Sequence, residues 1–165
     1  MEKNKAPGSY DLRSALRILE NAHGELIYTD EPVDPKAELS GVYRYIGAGG
    51  TVARPTNIGP AMIFNKIKGH DEVRVLIGLL ASRKRVALML GTAPERLGFL
   101  LRDAVAAPIA PVTIPQSEAA CQDVVHRADT PGFDIRKIVP VPTNTEEDAG
   151  PYITIGMAYA SDPET

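Results

Sequence analysis

Pro108, Pro111 and Pro115 fall within nine positions of this chain. Each ring fixes φ and removes a backbone donor, so neither a helix nor an inner strand runs through residues 107–115. The chain must therefore fold as two parts. We place a boundary there, giving an N-terminal α/β domain over residues 1–115 and a second, shorter domain over 116–165.

Before the break, short apolar runs alternate with helical periods. Asp11 caps a predicted helix reaching to about Ala22, with Leu12, Ala15, Leu16 and Leu19 on one face and Gly24 beyond its end. Residues 26–29 read as a short strand. Ala37, Leu39, Val42, Tyr43 and Ile46 predict a second helix with Pro35 in its first turn, closed by Gly47-Ala-Gly-Gly50. A proline-bounded loop over residues 54–60 leads into a strand at 61–64, followed by a turn and a strand rich in β-branched residues at 73–77. Ser82 caps a third helix carrying Val86, Met89 and Leu90, and Pro94 opens a fourth that reaches Ala106. This alternation is the pattern of an α/β (α+β) layer fold.

After the break the pattern weakens. Residues 123–126 predict a short strand, 133–139 are ambiguous, 140–150 form a polar loop, and Tyr152-Ile-Thr-Ile-Gly-Met-Ala-Tyr-Ala160 predicts a strand. Five residues follow it, so the expectation is that its pairing partner lies backward in the chain or in another polypeptide.

The formal charge of −3 is spread along the chain, which argues against nucleic acid or an anionic membrane surface as partner. No apolar stretch is long enough to span a bilayer, and the polar start lacks the apolar core of a signal peptide. With a single cysteine, Cys121, no internal disulfide forms, and a cytoplasmic address is expected.

Several residues invite chemistry, each with a plainer alternative. Gly47 to Gly50 could cradle phosphate, yet they follow a helix rather than link a strand to one, so a helix-ending loop is the expectation. His23, His70 and His126 lack metal-ligand spacing and are expected at the surface or in turns. Cys121 is expected as a buried thiol. Arg83-Lys84-Arg85 after Ser82 could gather an anion, with a solvated basic turn as the expectation. Glu146, Glu147 and Asp148 could crowd into a general acid, with three carboxylates facing water as the plainer reading. No nucleophile–base pair, acid–base dyad or metal cluster is assigned.

Gly47-Ala-Gly-Gly-Thr51, Arg54-Pro-Thr56, Gly59-Pro-Ala-Met-Ile-Phe-Asn65, Lys68-Gly69 and Ala81-Ser-Arg-Lys-Arg-Val-Ala-Leu-Met-Leu-Gly91 resemble, in order and spacing, the front of UbiD-type decarboxylases. The likeness continues through Pro140, Pro142, Thr143-Asn-Thr145, Asp148-Ala-Gly150 and Tyr152-Ile-Thr-Ile-Gly-Met157. It is nearest to the branch that decarboxylates hydroxylated benzoates such as protocatechuate or gallate. Each motif is weak alone, and their collinear succession is specific.

The resemblance implies an α/β N-terminal domain, then a central split β-barrel that binds prenylated FMN, then a dimerisation domain. Residues 116–165 would be the start of that barrel, and the whole chain about the first third of such an enzyme. The implied reaction is reversible decarboxylation of an aromatic carboxylic acid, with the cofactor supplying the electron sink. In the complete enzyme a divalent metal (Mn²⁺), with K⁺ as a further candidate, would accompany the flavin, and a prenyl-flavin synthase would supply it. Thr154, Gly156 and Met157 match the family's cofactor-proximal strand and are the only cofactor-binding residues carried over. The family's Arg, Glu and metal ligands match nothing in this sequence, so the isolated chain is expected to bind no cofactor and to be inactive. Arg83 and Arg85 match a helix read as structural, and Asp148 a loop position of unassigned purpose. A completing polypeptide, a homo-oligomeric partner and a non-catalytic binding or regulatory role are the alternatives carried with this reading.

Overall fold

A computed structural model describes residues 8–48 and 58–153. Asp11 opens helix α1 (Leu12–Glu20) through a capping box: the Ser14 amide donates to Asp11 Oδ1 at 2.6 Å, and the Asp11 amide donates to Ser14 Oγ at 3.0 Å. These are two of the donors that a helix start leaves without intrahelical partners. The Ser14 backbone bond, then its side chain, hold the Asp11 carboxyl below its ordinary 3.8. Because the folded value is depressed, the cap contributes fully above the ordinary value and is lost as pH falls through the lower one. A chemical-shift titration of Asp11 will show a midpoint below 3.8, and one at or above it would contradict the cap.

Strand β1 (Leu26–Thr29), helix α2 (Glu38–Ala48) and strand β2 (Ala61–Phe64) follow in that order. β1 and β2 are parallel, in register from Leu26 with Ala61 to Thr29 with Phe64, so a crossover connection between them is obligatory. β3 (Val75–Ile77) then turns back antiparallel along the other edge of β2, pairing Met62 with Ile77 and Phe64 with Val75. The sheet order is β1-β2-β3, with the central strand buried at all four positions.

The pleat divides these strands into two faces. Met62 and Phe64 join Val33, Leu39 and Ile67 in one buried cluster, closed by Ile27, Val42, Tyr43, Val75 and Ile77. A second cluster of Ala15, Leu19 and Met89 gathers Leu26, Leu79 and Val86. It packs α1 against α3 (Arg83–Met89), which Ser82 caps through its hydroxyl and the Arg85 amide.

A 3₁₀ turn (Pro94–Arg96) precedes α4 (Leu97–Ala106), in place of the one continuous helix expected. α4 leaves Phe99, Leu101 and Val105 exposed, with the Arg96 and Arg102 guanidinium groups over the Phe99 ring at 5.1 and 5.4 Å. The strand expected at residues 123–126 does not form. After a 3₁₀ turn (Ala120–Gln122), residues 123–124 bend and 125–126 take no regular form, because no strand among the described residues satisfies their backbone. The ambiguous 133–139 segment contains a single helical turn, α5 (Ile135–Ile138), capped by Asp134. Arg136, through its side chain and then its amide, holds the Asp134 carboxyl down to about 2.

Two further expectations are corrected. Pro35 does not lie in the first turn of α2, since the helix begins only at Glu38 and Ala37, just before it, turns through φ 63°. The third strand begins at Val75 rather than residue 73.

Candidate functional site

The residues nearest in sequence to the expected flavin-side strand belong to the 140–153 loop, which is fastened to the N-terminal half. Thr143 lies beside Lys36 in a parallel bridge: the Ala37 amide donates to the Thr143 carbonyl at 2.8 Å, and the Thr143 amide donates to the Pro35 carbonyl at 3.1 Å. The left-handed backbone at Ala37, which costs a residue with a Cβ roughly 1–2 kcal/mol, lies at this junction. One residue on, Ser40 Oγ on α2 donates to Asn144 Oδ1 at 2.6 Å across 104 positions of sequence. These bonds explain why α2 starts late, since its approach is engaged with the loop.

Inside the loop, the Asn144 and Thr145 amides donate to Asp148 Oδ2 at 3.0 and 2.8 Å. The Tyr152 amide then donates to the Pro142 carbonyl at 3.1 Å, drawing the ends together as in an Ω-loop. The acidic triplet is thus not uniform. Glu146 and Glu147 face water as expected, while Asp148 is partly buried and turned inward. Tyr152 and Ile153 are not in a strand, and the rest of the expected strand, with Thr154, Gly156 and Met157, lies outside the described residues.

A second polar cluster sits at one end of the sheet. Arg85 is 1% exposed, correcting the expectation of a solvated basic turn. Its Nη1 donates to the Gly78 carbonyl after β3, and Nη2 donates to the Gly59 carbonyl before β2. Its Nε lies 3.3 Å from Oε2 of buried Glu25, which precedes β1, as an ion pair without the alignment of a hydrogen bond. Lys84 Nζ reaches the other Glu25 oxygen at 2.8 Å from the surface. One guanidinium therefore gathers all three strands at the same end of the sheet. Nearby, burial pushes the Tyr43 phenol up, opposed by the Arg85 charge. This cluster is enclosed and closes on itself, so it holds the sheet rather than offering a ligand surface. The sequence carries one signal for it: Arg85 lies four residues before Met89, and so beside the apolar face of Val86, Met89 and Leu90.

The remaining candidates stay apart. His23 and His126 are exposed, His126 stacking on Phe133 at 5.8 Å, and His70 lies in the turn after β2, with its backbone bridged to Ile67. Cys121 is exposed, not buried, because the 3₁₀ turn carrying it packs against no core element. Among the described residues no group of three or more His, Cys, Asp or Glu side chains could hold a metal, so the metal expected with the flavin finds no ligand set there. No described helix is long and apolar enough to cross a membrane.

The described residues thus form an α/β unit tied to a closed loop at residues 140–153. Residues 18–105 match the 3-octaprenyl-4-hydroxybenzoate carboxy-lyase N-terminal domain, and residues 112–165 match the Rift-related domain of the same enzymes. The chain belongs to the UbiD family.

It is 53% identical to a gallate decarboxylase of Lactiplantibacillus plantarum over 152 residues, which are 92% of this chain and 31% of that protein. Among solved structures, the apo 3,4-dihydroxybenzoic acid decarboxylase of Enterobacter cloacae superposes with a TM-score of 0.85 at 56% identity, covering 93% of this chain and 32% of that one. An evolved dimeric form of the UbiD-class enzyme HmfF from Pelotomaculum thermopropionicum, in complex with prFMN, gives 0.72 at 27% identity, covering 88% and 31%. The chain thus spans about a third of the length of these relatives.

Proposed function

We propose that this chain is the front portion of a carboxy-lyase that reversibly decarboxylates a hydroxylated aromatic acid with prenylated FMN. The collinear match to a gallate decarboxylase along nearly the whole chain carries this reading. Residues 1–115 serve as the N-terminal α/β domain and 116–165 as the opening of the flavin domain. Thr154, Gly156 and Met157 are the residues that would hold the flavin. When bound, the prenylated flavin supplies the electron sink for loss of CO₂. The described part of this chain plays a supporting role, in which α2 and the 140–153 loop hold the approach to those residues.

Decarboxylation itself needs groups beyond these. Among the described residues no ligand set for the flavin's metal converges, and no Arg–Glu pair stands open to a substrate. On this reading, the 165-residue chain supplied with prenylated FMN, Mn²⁺ and protocatechuate will release no CO₂. An enzyme carrying this sequence as its front portion will release CO₂ from protocatechuate or gallate under the same conditions. Turnover by the isolated chain would overturn the first statement, and a flavin-loaded enzyme inert toward every hydroxybenzoate would overturn the substrate class.

A further inference from the structure

We infer that Asp148 is a positioning residue for the flavin-binding residues that Thr154, Gly156 and Met157 would supply, acting through Asn144 and Ser40; this rests on the functional reading above. Its single oxygen Oδ2 receives the amides of both Asn144 and Thr145, so one carboxylate sets the turn at the start of the loop. Asn144 is held from two directions. Its backbone is oriented by Asp148, and its side chain accepts from Ser40 on α2 at 2.6 Å. Thr143, immediately before, exchanges two backbone hydrogen bonds with the Pro35–Ala37 stretch. The loop then closes on itself at Tyr152, two residues before Thr154. Asp148 thus completes a clasp between the N-terminal α/β unit and residues 152–153, just before Thr154. Glu146 and Glu147 are exposed and take no part.

The clasp makes an acceptor oxygen necessary, but not a net charge. An asparagine can present Oδ1 to the same two amides, whereas alanine leaves both without a partner. In the 165-residue chain, Asp148→Ala will speed hydrogen exchange at the Asn144 and Thr145 amides by about tenfold or more, while Asp148→Asn will hold it within about threefold. In the enzyme carrying this chain, Asp148→Ala will weaken prenylated-FMN binding by about tenfold and alter the bound flavin's visible spectrum, with Asp148→Asn restoring both. Glu147→Ala serves as the neighbouring control and will change neither.

Unchanged exchange in Asp148→Ala would overturn the clasp itself. Faster exchange with flavin affinity and spectrum intact would overturn the positioning role while leaving the functional reading standing. If the unsubstituted enzyme takes up no flavin, the functional reading falls and the positioning role with it, and the exchange data then report only the loop.

Discussion

Arg85→Met will lower the unfolding free energy by about 3–5 kcal/mol, the range for removing one partner of a buried charge pair. Methionine keeps much of the length and apolar stem, so the loss isolates the guanidinium. Three things are left behind: a Glu25 carboxylate whose remaining ion-pair partner among the described residues is the exposed Lys84, and the Gly59 and Gly78 carbonyls without this donor. The carbonyl bonds make this site more than an ion pair, because they tie the ends of separate strands to one side chain. Arg85→Lys will recover only part of the loss, since an ammonium lacks the planar fork that spans two carbonyls. Combining Arg85→Met with Glu25→Gln will cost less than the sum of the two single changes, as expected for residues in direct contact. Denaturant midpoints at unchanged slope read all of these proteins. A loss under about 1 kcal/mol for Arg85→Met would show that the pair is not what holds the strand ends.

Gly59→Ala is expected to be nearly as damaging, at about 3 kcal/mol, for steric reasons. A Cβ there would lie 2.2 Å from both the Cα and the carbonyl oxygen of Gly47 at the end of α2, and neither is a side chain that can swing away. The Gly59 amide also donates to that same carbonyl, so backbone separation would break a hydrogen bond as well. Gly41→Ala supplies the contrast. It lies inside α2 with nothing within 4 Å of the added carbon, and will stabilise the helix by up to about 1 kcal/mol. If both substitutions shift the thermal midpoint in the same direction, the close approach of Gly47 and Gly59 is not limiting.

These two sites also mark the limit of local sequence patterns. β1 and β2 begin and end where the apolar runs do, and Asp11 and Ser82 cap the helices they precede. Those elements are legible because their determinants lie within a few residues: period, cap and terminating glycine. The 123–126 run has a strand's composition but no neighbour to pair with among the described residues, and composition alone does not report a missing neighbour. Glycines 47 and 59 look like loop-formers in the sequence, although the constraint on them is a backbone contact across the intervening segment. Asp148 is legible only as part of an acidic triplet. Which of the three carboxylates turns inward depends on the amides of Asn144 and Thr145, and these are placed by α2, some hundred residues earlier.

By itself, the amino-acid sequence determined the α/β alternation, the ends of β1 and β2, the helix caps and, through its ordered motifs, membership of the UbiD family. Only the tertiary structure decided that Arg85 is buried, that Cys121 is exposed, that Ala37 adopts a left-handed backbone, and that Asp148 closes a loop against α2. The physical reason is range. Period and capping are settled by neighbours along the chain, whereas the burial of a charge or the strain at one residue depends on which distant backbone groups still need a partner.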